Sequence, residues 1–268
     1  MAQRSAWSHF AARFPRKARV LDLASGDGRV MGWLLGARGD IRPLGIDQSE
    51  RLPPAPRGAK LRDGVAMEAM PFPDDSFDGV TAQFGFEYGD VALIAREIAR
   101  VVKAGAPIGL MVHRGDGPIL AHNVSRRAAI AWAIEERALV DTARRALAAR
   151  AMTGVAVPPA LAQAPAEGAR AHGEGSASWE IAEAVRRIMG MGARDDPTAV
   201  RGLLDRVEAQ ARNEMARIAS LEAACATADD HASMERAFNE AGLVLQTRTP
   251  LVAQGEARPF ADFLDLTA

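Results

Sequence analysis

The run Val20–Val30, reading VLDLASGDGRV, sets a carboxylate (Asp22) just before a turn of small residues that includes Gly26 and Gly28. The apolar-rich stretch Val20–Leu23 leads into that turn, and a helix-like pattern follows it. A strand ending in such a turn brings backbone N–H groups close to a ligand, because glycine has no Cβ to block either the turn or the ligand. The next helix points its unpaired N–H groups at whatever is bound. About twenty positions further on, Asp47 follows the apolar stretch Leu44–Ile46, where a carboxylate can accept two hydrogen bonds from a ribose diol. Together these residues point to a nucleotide-like cofactor. A dinucleotide fingerprint, G-x-G-x-x-G, would need its third glycine at Met31, whereas Gly32 comes one residue late.

The elements that must hold these residues alternate between strand and helix. Strands are expected at Arg19–Leu23, Pro43–Ile46, Lys60–Arg62, Gly79–Phe84 and Pro107–His113, and helices at Gly28–Ala37 and Val91–Val102. This is the order of a doubly wound α/β sheet with helices on both faces. Arg51–Gly58 is rich in proline and leaves little room for a crossover helix. Beyond His113 the composition shifts. Residues 121–150 read as helix, 153–177 as a long loop rich in Ala, Pro and Gly, and Ser178–Gly190 and Pro197–Ala226 as helices again. A helix at Asp230–Ala241, a strand at Leu243–Val252 and a last strand at Arg258–Leu266 close the chain. The expected organisation is a core of residues 1–113 and 230–268 with a helical insertion at 114–229, at roughly a hundred residues too long for a plain loop.

The glycine turn resembles motif I of class I S-adenosylmethionine-dependent methyltransferases, D-x-G-x-G-x-G. Asp22, Gly26 and Gly28 match it, and Ala24 stands where the first glycine is usual, a position read as needing only small size. Three further segments resemble the same family: Leu44–Asp47; Glu68–Asp78, reading EAMPFPDDSFD and close to LPF-x-D-x-SFD; and Arg96–Gly105, reading REIARVVKAG. The resemblance covers about residues 18–113 and Glu235–Val252. It implies a Rossmann-like fold that binds S-adenosyl-L-methionine and releases S-adenosyl-L-homocysteine. The cofactor-binding residues it implies are Asp22, Ala24, Ser25, Gly26, Asp47, Gln48, Ala66, Met67 and Gln83. Many relatives carry Asp at the position of Ala66 to contact the adenine amine. Asp63 nearby, or the backbone of Met67, are the other means this chain offers.

Methyl transfer from a sulfonium is an in-line displacement, so the protein mainly aligns the acceptor and excludes water. A base is needed only if the acceptor loses a proton. The carboxyl ends of the fourth and fifth strands should face the methyl group, which puts Glu87 and His113 forward as catalytic candidates. A histidine ring exchanges protons near neutral pH, and His113 is the best single base. Phe86, Tyr88 and Arg114 are expected at the acceptor. Trp7 and Phe10, ahead of the first strand, are expected to form a flap over the cofactor.

The 268-residue chain has a net charge of −1, no basic stripe and no N/D-P-P-Y/F motif, so no nucleic-acid partner is expected. One cysteine, Cys225, excludes an internal disulfide framework, and His9, His172 and His231 lack metal-ligand spacing, so no metal is expected. No apolar run reaches the roughly 18 residues of a membrane span, and the N-terminal segment lacks a secretory apolar core, so a soluble cytoplasmic protein is expected. The insertion is expected to form a lid over a small-molecule acceptor or a homodimer interface. O- or N-methylation of a small molecule is the leading expectation. A protein methyltransferase and a non-methylating S-adenosylmethionine-binding protein stay open beside it.

Overall fold

The computed structural model describes residues 2–153, 158–191 and 196–268. The chain divides into two compact units, one of Met1–Leu120 with Leu221–Ala268 and one of Ala121–Ser220. Arg114–Leu120 and Leu221–Asp229, counted with the insertion from sequence, therefore belong with the sheet.

The first unit is built on seven strands: β1 (Arg19–Leu23), β2 (Arg42–Ile46), β3 (Lys60–Arg62), β4 (Gly79–Gln83), β5 (Pro107–His113), β6 (Val244–Val252) and β7 (Pro259–Thr267). Their spatial order is β3-β2-β1-β4-β5-β7-β6. Strands β1 to β5 are parallel, and β7 runs antiparallel between β5 and β6. The chain leaves β1 toward β2 on one side and returns to β4 on the other, so a crevice opens at the carboxyl ends of β1 and β4. The fold is a Rossmann-like doubly wound α/β sheet.

Central strands of such a sheet are buried on both faces, and successive residues serve opposite layers. Leu21 and Leu23 of β1 pack with Ile94 and Ile98 of α3 (Val91–Val101) and Phe238 of α9 (His231–Glu240). Val20 packs on the other face with Val30 and Leu34 of α2 (Arg29–Ala37). That second layer also receives Trp7 and Phe10 of α1 (Ala2–Phe10), which are buried and form no flap. Trp7, Phe10, Ala11 and Phe14 fall at helical spacing and make one apolar stripe, which the sheet covers. Gly109 of β5 permits this approach, since a Cβ there would meet the Phe10 and Trp7 rings at 2.8 to 3.0 Å.

The second unit is helical. It holds most of α4 (Pro118–Ala131), which a π-helical turn at Trp132–Glu136 continues, then α5 (Leu139–Thr153), α6 (Pro159–His172), α7 (Ala177–Met191) and the first two-thirds of α8 (Pro197–Asp229). Its own apolar core includes Ile130, Leu161, Val185 and Leu204. Arg126 of α4 ties it together by bonding Glu214 of α8 (2.6 Å) and Glu180 of α7 (3.3 Å). The stretch 153–177, expected as a loop, contains α6, while 154–157 lie outside the described residues. Proline is tolerated at a helix start, and burial of Leu161, Ala164 and Pro165 outweighs the hydrogen bond that Pro165 removes. Gly168 lets α6 touch the backbone of Ser178 and Trp179. Among the described residues no helix is long and apolar enough to cross a membrane.

Candidate functional site

The turn after β1 is held in left-handed backbone, with φ of +48° at Ala24, +51° at Gly26 and +73° at Gly28. Position 24 therefore needs more than small size: an L-residue there costs roughly 1 kcal/mol of backbone strain, which glycine would avoid. Two carbonyl and carboxylate acceptors latch the turn to the end of β2. The Ser25 N–H donates to the Ile46 carbonyl, and the Gly26 N–H donates to Asp47 Oδ2, both at 2.9 Å. Asp47 Oδ1 accepts the Ser49 N–H, also at 2.9 Å. Each Asp47 oxygen keeps a further lone pair.

Asp22 is almost wholly buried at 1% exposure. Its Oδ1 accepts the Thr81 hydroxyl at 2.7 Å, while Oδ2 has no partner within the protein. Burial, with Asp27 and Asp47 adding like charge, raises the Asp22 pKa to about 7. The Ser25 hydroxyl is likewise buried without a partner.

Two cavities lie along this turn. One of about 160 Å³ is lined by Asp22, Ser25, Gly26, Arg29 and Gln83, the other of about 280 Å³ by Asp47, Gln48, Met67, Glu68, Phe84 and Tyr88. Ala24 lines both. In the first, Trp7 Nε1–H donates to Gln83 Oε1 at 2.7 Å, which leaves the Gln83 amide nitrogen as its free donor group. In the second, Val65 and Met67 are lining residues but Ala66 is not, and Asp63 is exposed and lines neither cavity. The Val65 N–H bonded to the Asp47 carbonyl (2.9 Å) sets the orientation of this segment. Glu97 and Arg100 of α3 pin its far end: Glu97 Oε2 accepts the Met70 N–H at 2.7 Å, and Arg100 Nη2 donates to the Met70 carbonyl at 2.9 Å.

Glu68 was missed from sequence. Its Oε1 accepts the Asp90 N–H at 3.2 Å, and a Cβ on Gly89 would collide with its carboxylate. The only sequence signal was its standing two residues beyond Ala66 in the same segment.

The candidate base and its neighbour come together. Glu87 Oε1 accepts the His113 backbone N–H at 2.9 Å and lies 2.7 Å from His113 Nδ1. An oxygen already accepting one N–H favours the ring tautomer protonated at Nδ1, with the lone pair on Nε2. The His113 ring stacks on Phe84 (centroids 4.2 Å apart, 27° between planes) and meets the edge of Tyr88. His113 and Glu87 line neither cavity; they stand one ring behind the second.

Two expected acceptor contacts are placed otherwise. Phe86 is fully buried against Phe238, because φ of +56° at Phe84 ends β4 and the turn at Gly85 sends Phe86 into the core and Phe84 to the cavity wall. Arg114 grips Asp116 through two bonds of 2.9 Å and Asp262 through one of 2.7 Å, so its guanidinium is committed to structural carboxylates.

Residues 21–108 match a protein family described as a methyltransferase domain. A 2-phytyl-1,4-naphtoquinone methyltransferase of Synechococcus elongatus is 30% identical over 116 residues, covering 38% of this chain and 49% of that protein. A demethylmenaquinone methyltransferase of Thermotoga maritima is 36% identical over 90 residues, covering 32% of this chain and 39% of that protein. The chain thus spans half or less of the length of these curated relatives. A solved phosphoethanolamine N-methyltransferase of Haemonchus contortus aligns with 17% identity over 42% of this chain and 28% of that one, at a TM-score of 0.38.

Proposed function

We propose that the sheet unit of this chain, whose residues 21–108 match a methyltransferase domain, is a class I S-adenosylmethionine-dependent methyltransferase domain, and that the protein methylates a small-molecule acceptor and releases S-adenosyl-L-homocysteine. The observation that carries this reading is the pair of cavities meeting at Ala24, with a buried carboxylate oxygen, Asp22 Oδ2, lacking a partner on one and a ribose-type carboxylate on the other. When bound, the cofactor supplies a methyl group on a cationic sulfur, already activated for displacement.

The remaining work falls to this chain's residues. Asp22 Oδ2 suits an ammonium group, since a buried ionised oxygen without a partner is costly until a cation meets it. The Ser25 hydroxyl and the Gln83 amide nitrogen add donors for a carboxylate. Asp47 holds the glycine turn with one lone pair on each oxygen and offers the others to a diol. Val65 and Met67 give apolar walls to a flat base.

For the acceptor, the base in this reading is His113, whose ring backs Phe84 and Tyr88 on the wall of the second cavity, so the acceptor's proton reaches it through one bridging water or a turn of the exposed Tyr88 ring. Glu87 fixes the ring by accepting from Nδ1 and balances the positive charge that forms when Nε2 takes a proton. This suits an O–H or N–H acceptor, which must lose a proton. The relatives named for naphtoquinone and menaquinone acceptors, together with the faces of Phe84 and Tyr88 on the cavity wall, support a ring-bearing small molecule.

The test is binding followed by product analysis. Saturation with S-adenosylhomocysteine at 100 times its Kd should stabilise the fold by about 2.7 kcal/mol. Methyl-labelled donor, offered with phenolic, quinol and amine acceptors, should place label in a small molecule. Absence of any thermal response to either form of the cofactor would overturn the assignment, and label in protein would replace the acceptor class.

A further inference from the structure

We infer that Trp7 is a positioning residue for the smaller cavity: its indole N–H fixes the amide of Gln83 so that the nitrogen, and not the oxygen, is left to meet a carboxylate of the ligand. The inference rests on the cofactor reading above and concerns only the cavity shared by Asp22, Ser25 and Gln83.

Trp7 lies on α1, fully buried, with its ring edge-on to Phe263 of β7 at 5.0 Å between centroids. Gln83 is the last residue of β4 and pairs with Met111 of β5. Trp7 Nε1–H donates to Gln83 Oε1 at 2.7 Å across 76 positions of sequence. An indole nitrogen can only donate, whereas an amide carries an acceptor at one end and a donor at the other. Turning the Gln83 amide over would set N–H against N–H inside the protein. A buried donor left unpaired disfavours that arrangement by about tenfold or more. The indole thus decides which end of Gln83 remains for the cavity, although Trp7 itself lines neither cavity.

That choice matters because of what else lines the cavity. Asp22 Oδ2 is a buried acceptor without a partner, and the Ser25 hydroxyl is buried and unpaired beside it. With the Gln83 nitrogen available, donors from Ser25 and Gln83 stand with the Asp22 acceptor, the complement of a ligand end that bears both a carboxylate and an ammonium group. With the Gln83 oxygen available instead, a ligand carboxylate would meet it acceptor to acceptor.

The experiment is calorimetric titration of the full chain with S-adenosyl-L-homocysteine and with its decarboxylated analogue, which keeps the ammonium group and loses only the carboxylate. The proteins are the wild type, Trp7→Phe, Gln83→Ala and the double variant. The wild type should prefer the carboxylate-bearing compound by about tenfold or more. Freed of the indole, Gln83 must be ordered on binding, so Trp7→Phe should weaken S-adenosyl-L-homocysteine by about three- to tenfold while the analogue stays within about twofold. In the Gln83→Ala background Trp7→Phe should add less than about twofold. Equal weakening of both compounds by Trp7→Phe, or additive losses in the double variant, would reduce Trp7 to packing and overturn the inference while leaving the cofactor reading standing. Because Trp7 is buried, β-(3-benzothienyl)alanine at position 7 supplies a second reading: it keeps the ring shape and puts sulfur in place of the N–H. It should lower the preference as Trp7→Phe does, and a preference unchanged from the wild type would overturn the inference. A wild type that binds neither compound would overturn the cofactor reading and this inference with it.

Discussion

Ala24 and Gly85 contend for one small volume: a Cβ on Gly85 would collide with the Ala24 methyl. The turn after β1 and the turn after β4 are thereby fitted to each other, and both line the larger cavity. Gly85→Ala should destabilise the protein by roughly 1–3 kcal/mol through overpacking. Ala24→Gly should be neutral or stabilising by up to about 1 kcal/mol, because it relieves the left-handed strain at φ +48°. The double variant should recover much of the loss, and a double-mutant cycle by denaturant unfolding measures this. Strict additivity would show that the two sites are independent.

Asp22 should make cofactor affinity depend on pH. Its folded-state pKa is raised from 3.8 to about 7, so between those values the folded chain keeps a proton that the unfolded chain has lost. Stability contributed by this group accordingly falls as pH rises through that window and levels off above about 7. A ligand ammonium favours the ionised form. S-adenosylhomocysteine affinity should therefore climb as pH rises toward 7, by up to about tenfold per unit well below it, and then flatten. Asp22→Asn should bind more weakly with no such slope, as titrations across this range would report.

Asp47→Ala should weaken cofactor binding by roughly an order of magnitude or more. It also strips the acceptor from the Gly26 and Ser49 N–H groups, so the unliganded protein should lose about 1–3 kcal/mol. Calorimetry and unfolding read the two effects separately, and intact affinity would remove Asp47 from the site.

His113→Ala should spare cofactor affinity and lower kcat by about a hundredfold or more. Glu87→Gln should follow it in direction through kcat rather than KM, since Glu87 acts by holding the ring. Full turnover in His113→Ala would refute the base role.

Phe86→Ala should cost about 3–5 kcal/mol in stability, as a fully buried ring does. At a temperature where the variant is folded, KM for the acceptor should stay near the wild-type value, whereas Phe84→Ala should raise it.

The sequence by itself determined the parts whose logic is local. Apolar runs placed the strands, glycine and small residues placed the cofactor turn, and a carboxylate about twenty positions on marked the second strand end, because each depends on spacing within one segment. Tertiary structure decided the rest. Glu87 meets His113 across 26 positions and Arg114 meets Asp262 across 148, pairings set by strand order and register that no local pattern encodes. The backbone at Phe84, φ +56°, decided which of Phe84 and Phe86 enters the core. Burial turned the Ala- and Pro-rich stretch at Pro159–His172 into a helix and drew the Trp7–Phe14 stripe under the sheet, since packing free energy outweighs local propensity. Ala24 stands between the two: its small size was visible in the sequence, but its positive φ and its fit to Gly85 exist only once β1 and β4 lie side by side.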